Sequence, residues 1–167
     1  MSAKLDTKDL AILTLIQENS KLTAKQIAKK INAPITTVFA KTKRMEELGI
    51  INVYRAIVTP EKLNAGTAAF ILASVSYRAK GDDVPVSQRT VAEEIARFPE
   101  VQEVHIITGD WDLLVKLRAE NVDAIGKFVV DKLRLIKGLE KTLTCMVFKT
   151  VKETTTIVVP PRNFAKP

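Results

Sequence analysis

The hydrophobic pattern changes period near residue 60, and no single class of secondary structure satisfies both halves. Before that point, apolar residues recur at helical spacing between explicit start and stop signals. Asp6 precedes Asp9 by three positions and Leu5 and Leu10 bracket them, which is an all-Asp variant of the capping box with a hydrophobic staple. A helix is therefore expected from Thr7, burying Leu10, Ile12, Leu13, Leu15 and Ile16 and ending at Asn19 and Ser20. Thr23 with Gln26, flanked by Leu22 and Ile27, repeats the device and starts a short helix that reaches about Lys30. Pro34 suits the first turn of a third helix, with Val38, Met45 and Leu48 on one face and Gly49 as its left-handed stop. Ile31, Asn32 and Ala33 leave a turn of helix-turn-helix length between the last two. Residues 50–58 are rich in β-branched side chains and are expected to form a strand or wing, which Thr59 and Pro60 interrupt.

Beyond the break, strands and helices alternate. Residues 68–77 read as a buried strand, 79–85 as a polar loop, and 90–98 as a helix stopped by Pro99. Residues 101–108 and 113–118 read as strands around a tight Gly109-Asp110 turn. Asn121 caps a helix that turns Val122, Ile125, Val129 and Ile136 inward and ends at Gly138, and residues 140–148 close the unit as a strand. The order βαββαβ is ferredoxin-like, with two helices on one face of an antiparallel sheet. The fold class is thus α+β, an N-terminal winged helix-turn-helix domain plus a C-terminal ferredoxin-like βαββαβ domain. The expected boundaries are 1–58 for the first domain, 59–66 for a hinge, 67–152 for the second domain and 153–167 for a tail. The last strand carries apolar groups on both sides, so a second subunit is expected to cover the open sheet face and make the protein an obligate dimer.

Composition narrows the chemistry. One cysteine and one histidine exclude an internal disulfide framework and the paired-ligand metal motifs, so no metal and no cofactor is expected. There is no credible nucleophile-base pair and no phosphate loop, and no catalytic residue is assigned. The longest weakly polar stretch, residues 65–77, is too short to span a bilayer, and the N-terminus has no signal pattern, so a cytoplasmic, membrane-free protein is expected. The formal net charge of +7 is uneven: residues 1–60 hold ten Lys/Arg against five Asp/Glu, and the rest hold sixteen against fourteen. A cationic excess on the helical half suggests an anionic partner, although a charge of this size also serves ordinary solubility; the helix-turn-helix spacing is what turns it towards double-stranded DNA. On the third helix, Thr36, Thr37, Lys41, Lys43 and Arg44 are read as facing outward, towards bases and phosphates. Lys25 and Lys29 on the second are read as holding the backbone.

A basic three-helix head followed by a βαββαβ module resembles the Lrp/AsnC, or feast/famine, family of transcription regulators. The likeness spans about residues 5–150. It is carried by Leu5-Asp6, Asp9, Ile12-Leu13, residues 22–28, Val38, residues 48–51, Tyr54-Arg55-Ala56, Val101, Gly109-Asp110-Trp111-Asp112, Gly138 and Thr144. The resemblance implies that the second module binds an amino acid or similar small effector and drives assembly of dimers into tetramers or octamers. It also implies that Thr142 and Thr144 line the effector cleft. The turn residues fit that role chemically: Gly109 allows close backbone approach, Asp110 and Asp112 offer carboxylates to an ammonium group, and Trp111 offers an apolar wall. Gly-Asp is also an ordinary hairpin turn, and Trp111 also suits a core. Ala33 stands where the family usually has a capping serine, and Ala40 and Lys41 where arginines are common. His105, on the same strand face as Glu103, reads as structural, Cys145 as buried and inert, and Tyr54-Arg55 as packing between domains. The function expected is a sequence-specific transcription regulator responding to a small effector. The alternatives are an architectural DNA-binding protein without a ligand, or a small enzyme or regulatory subunit of amino-acid metabolism.

Overall fold

The computed structural model describes residues 4–76 and 86–159. The loop expected at 79–85 and the Pro160-Pro161 pair therefore lie outside the described residues. Those described fall into two compact units, one running to Ile57 and taking in the tail from Lys152, the other Val58–Val151.

The first unit contains α1 (Thr7–Glu18), α2 (Ala24–Ile31) and α3 (Ile35–Glu47). Both capping boxes form. Asp6 accepts from the amides of Lys8 and Asp9, while Asp9 accepts from the Asp6 amide at 2.8 Å. Thr23 and Gln26 exchange the same pair of bonds, and Asn32 closes α2 in the left-handed conformation at φ 50°. Pro34 is the residue before the helix rather than its first turn, and no side chain caps α3. At its far end the Ile50 and Ile51 amides both donate to the Met45 carbonyl, folding the chain back after Gly49. Ile12, Ile27, Ala28, Val38 and Met45 make the buried centre. Leu48, expected on that face, is half exposed because the helix ends beneath it.

Residues 50–58 do not form the expected strand. They have no regular secondary structure and carry Val53, Ile57 and Val58 in the open, because a β-branched sequence becomes a strand only where a neighbour completes its ladder. Tyr54, expected between domains, instead donates to Glu46 on α3 at 2.7 Å. Burial, reinforced by that carboxylate, pushes its phenol up to about 12. The tail belongs to this unit too: Gln17 at the end of α1 donates to the Ile157 carbonyl at 3.1 Å and accepts from the Ile157 amide at 2.9 Å. One side-chain amide thus serves both backbone groups of a tail residue, as a neighbouring strand would.

The second unit holds β1 (Thr67–Val75), α4 (Gln88–Ile95), β2 (Val101–Ile106), β3 (Leu113–Ala119), α5 (Val122–Asp131) and β4 (Leu139–Met146). The four strands form one antiparallel sheet in the order β2-β3-β1-β4. Ala69, Ile71, Ala73 and Val75 alternate inward on β1 and meet Leu113, Val115 and Leu117 of β3 beneath Val91, Ile95, Ile125, Phe128 and Val129 of the helices. The α5 helix stops seven residues before Gly138. Lys132 breaks it, and a 3-10 turn at Leu133–Leu135 follows, which keeps both Leu133 and Ile136 buried at i,i+3 spacing. Val122, expected inward, is exposed in the first turn. At Gly138, φ is 89° and an added Cβ would lie 2.4 Å from Val86 Cγ1, so both backbone and space require glycine.

Among the described residues of the second unit, no layer covers the opposite sheet face. Phe70 and Leu72 of β1 pair there with Cys145 and Leu143 of β4, and Leu114 of β3 pairs with Leu72. Phe70 and Leu143 are 37% and 47% exposed. Cys145 is therefore exposed, not buried as expected, because an edge strand presents alternate residues to the uncovered side.

Candidate nucleic-acid interface and effector cleft

On α3 the buried positions Val38 and Met45 fix the helix by one side, which leaves positions 36, 39, 40 and 43 as its outward stripe. Thr36, Phe39, Ala40 and Lys43 are exposed there, while Thr37 is only partly so. Lys25 and Lys29 stand exposed on α2 and line, with Asn32, Pro34 and Ile35, a groove of about 430 Å³ at the α2–α3 turn. Lys43 makes only a loose pair with Glu47, at 3.9 Å, and both are well exposed.

Lys41 lies elsewhere than expected. It is turned against α1, 18% exposed, with Nζ 2.5 Å from Asp6 and 3.0 Å from the fully buried Asp9. Arg44 joins the cluster, 3.7 Å from Asp9 and donating to the Lys4 carbonyl. The reason is the helical period: Lys41 is three residues after Val38 and four before Met45, on the inward side of α3. A buried carboxylate needs such partners, since an unpaired charge there is costly. The Lys41 bond, helped by the Asp9 amide, holds the Asp6 carboxyl down at about 2. Burial works against the Lys41 charge, but the two carboxylates outweigh it and leave its pKa above the ordinary lysine value. The acids that cap α1 thus also clamp α3.

In the second unit, the turn between β2 and β3 is wider than a two-residue hairpin. Ile107 donates to the Asp112 carbonyl at 2.8 Å and closes it. Gly109 has φ 118° with open space where a Cβ would stand, and Asp110 is exposed. Trp111 lines a cleft of about 600 Å³ with Thr142, Leu139, Glu140, Lys141 and Leu143 of β4 and with Arg134 of the 3-10 turn. Of the turn-and-strand residues singled out by sequence, this cleft unites Trp111 with Thr142. Thr144 is next on the same strand face, opposite Ile71, and is partly buried.

Asp112 is engaged from behind. Its carboxylate accepts from the Val75 amide at 2.7 Å and from the Gln88 side chain, while its own amide donates to the Ala73 carbonyl. It ties the turn to the end of β1 and the start of α4. Arg134 and Glu140 were missed by sequence reasoning. The lost helical period after Asp131 is the signal that could have found Arg134, because residues on a 3-10 turn point away from the helix face they would otherwise extend. His105 sits 3.3 Å from Glu103 on the open sheet face, and Lys116 binds the same carboxylate at 3.1 Å. The Lys116 bond, opposed by partial burial, lowers the Glu103 pKa. Among the described residues, no group of three or more His, Cys, Asp or Glu could hold a metal ion, and no helix is long and apolar enough to cross a membrane.

Comparison with known proteins agrees with both halves of this geometry. A model of the winged helix-turn-helix DNA-binding domain matches residues 5–52, and a model of the Lrp/AsnC ligand binding domain matches residues 73–157. An "uncharacterized HTH-type transcriptional regulator" of Pyrococcus horikoshii is 44% identical over 149 residues, covering 89% of this chain and 96% of that one. The crystal structure of a transcriptional regulator from Neisseria meningitidis in complex with L-Met superposes with a TM-score of 0.82 at 30% identity, covering 96% and 98% of the two chains. Escherichia coli AsnC shares the fold, with a TM-score of 0.81 at 22% identity over 95% and 100%.

Proposed function

Because the chain belongs to the Lrp/AsnC family of helix-turn-helix transcriptional regulators, we propose that it reads duplex DNA as a homodimer and that an amino acid held in the Trp111 cleft modulates that reading. The observation that carries the effector assignment is the charge pattern of the cleft. Arg134, Lys141 and Glu140 line it with the Trp111 ring, so charges of both signs stand beside an aromatic wall, an arrangement matched to a zwitterion with an apolar side chain. The Neisseria relative was crystallised with L-Met, a ligand of this class. Thr142 supplies a hydroxyl in the cleft and Thr144 extends the same strand face. Gly109, Asp110 and Asp112 shape the turn, with Asp112 acting through its bonds to Val75 and Gln88 rather than at the ligand.

In the head, Thr36 and Lys43 enter the major groove while Lys25 and Lys29 hold phosphates. Lys41 and Arg44 set the angle of α3 on α1, and Thr37 lies at the edge of the contact. A second copy covers the open face around Phe70, Leu72, Leu114 and Leu143, burying Cys145, and dimers assemble further into tetramers or octamers. The pair of recognition helices then faces a two-fold site with half-sites about 10 base pairs apart, or a multiple of that. An effector acts by favouring one assembly over another, to the extent of its differential affinity. The protein works in the cytoplasm and performs no catalysis.

The test is a thermal-unfolding screen of the full chain against the common amino acids, L-Met included. A ligand of the folded state at 100 times its Kd adds about 2.7 kcal/mol. A selective upward shift that disappears in Arg134→Ala is expected. A shift undiminished in that variant would move the ligand out of the cleft, and no shift with any amino acid would favour a ligand-independent organiser of DNA.

A further inference from the structure

Phe39 is the most exposed large apolar side chain of α3, at 66%, and Ile35, one turn earlier on the same side, is 50% exposed. Neither contributes to the core, which Val38 and Met45 fill from the other side of the helix. Nor does helix propensity explain a phenylalanine at a solvent position, where Ala, Lys or Glu would serve better. Its neighbours on the outward stripe are Thr36, three residues before, the small Ala40 beside it, and Lys43, four residues after. We propose that Phe39, supported by Ile35, is a specificity determinant that packs against the 5-methyl groups of thymines in the major groove. The proposal rests on the reading of the head as a duplex-DNA binder and names what that helix selects.

Two physical points decide the occupant. The first is charge: Lys43 follows Phe39 by one turn on the same exposed stripe, and Lys25 and Lys29 line one groove with Ile35, so cations flank the apolar spot. That setting suits a polyanion with an apolar feature, and it repels nothing on DNA while disfavouring an apolar protein face. The second is the groove itself. Its edges are hydrogen-bonding groups apart from the thymine methyl, the one apolar mark by which A·T and T·A pairs differ there from G·C. A ring without donors or acceptors gains from that mark alone. The small Ala40 leaves room for the approach, and the Thr36 methyl and hydroxyl lie at the leading end of the same stripe.

The experiment uses a duplex that the full-length protein itself selects from a randomised pool. Each thymine in the half-site is replaced singly by deoxyuridine, which keeps the base pair and removes the methyl, and affinity is read by fluorescence anisotropy. Losing one buried methyl is expected to weaken wild-type binding about fourfold at one or two thymines per half-site and leave the others unchanged. Phe39→Ala should bind the thymine duplex more weakly and no longer distinguish thymine from deoxyuridine at those positions, while Phe39→Leu keeps part of the distinction. Circular dichroism checks that the variants are folded, and the exposed position predicts that they are. Tight wild-type binding that ignores every methyl would overturn the proposal and leave DNA reading standing. Discrimination that persists in Phe39→Ala would assign the methyl to another residue. A protein that selects no duplex even at low salt would overturn the DNA-binding reading as well.

Discussion

The two units are held together by different physics. Among the described residues, the second has fourteen side chains in one buried cluster, spread over two strands, both helices and the segment after α5, whereas the head has five, one of them an alanine. A core of that size supplies little stabilisation for a domain of some fifty residues. The head compensates with directional contacts: two reciprocal capping boxes, the Asp6-Asp9-Lys41-Arg44 cluster around a carboxylate with no exposure, and the Tyr54 bond to Glu46. A small DNA-reading domain can therefore be rigid without being large, but its rigidity depends on charge. The second unit depends mainly on apolar area.

Three perturbations would break or sharpen that contrast, and each is resolved by two probes. Fluorescence of Trp111, the sole tryptophan, reports on the second unit, and circular dichroism at helical wavelengths reports on both. The largest effect is expected for Leu117→Ala, which empties a fully buried site in the sheet and should cost about 4 kcal/mol, seen as an early loss of the tryptophan signal in urea. Asp9→Asn should cost roughly 2 kcal/mol by removing the buried charge that Lys41 and Arg44 face, and should melt helix while the tryptophan signal persists. If it moved both signals together, the two units would not be independent in stability.

The smallest effect is acidification. The Asp6 carboxyl is lowered from 3.8 to about 2 in the folded chain, so its contribution is complete above about pH 4 and fades as pH falls towards 2. The head should lose structure in that window before the second unit does. A simultaneous acid transition in both probes would remove the distinction.

What could be read in the sequence was what depends on near neighbours. Asp6, Thr23 and Asn121 announce helix starts because a cap and its target amide are two or three residues apart. Gly49 announces a stop, and the strands of the second unit follow from alternation. What could not be read was where a side chain goes once elements cross. Lys41 looked like a DNA contact because lysines on a basic helix usually face water, yet the packing of α3 on α1 turns it towards Asp9. Phe39 was passed over for the opposite reason, since a phenylalanine is assigned to the core by default and only the burial of Val38 and Met45 shows it faces out. Residues 50–58 have the composition of a strand but no ladder partner among the described residues. In the candidate cleft, Trp111 and Thr142 were legible from the turn and strand pattern, whereas Arg134 and Glu140 come together only after α5 breaks early.

The clasp between Gln17 and Ile157 has a consequence in time as well as in space. By chain order the second unit is an insertion within the first, so the head is completed by two pieces separated by nearly the whole polypeptide. During synthesis the three helices emerge first, but Gln17 must wait until the whole second unit and Ile157 have followed. The helices can therefore fold well before this contact forms, and a chain cut between the second unit and Ile157 would present its recognition helix with that fastening undone.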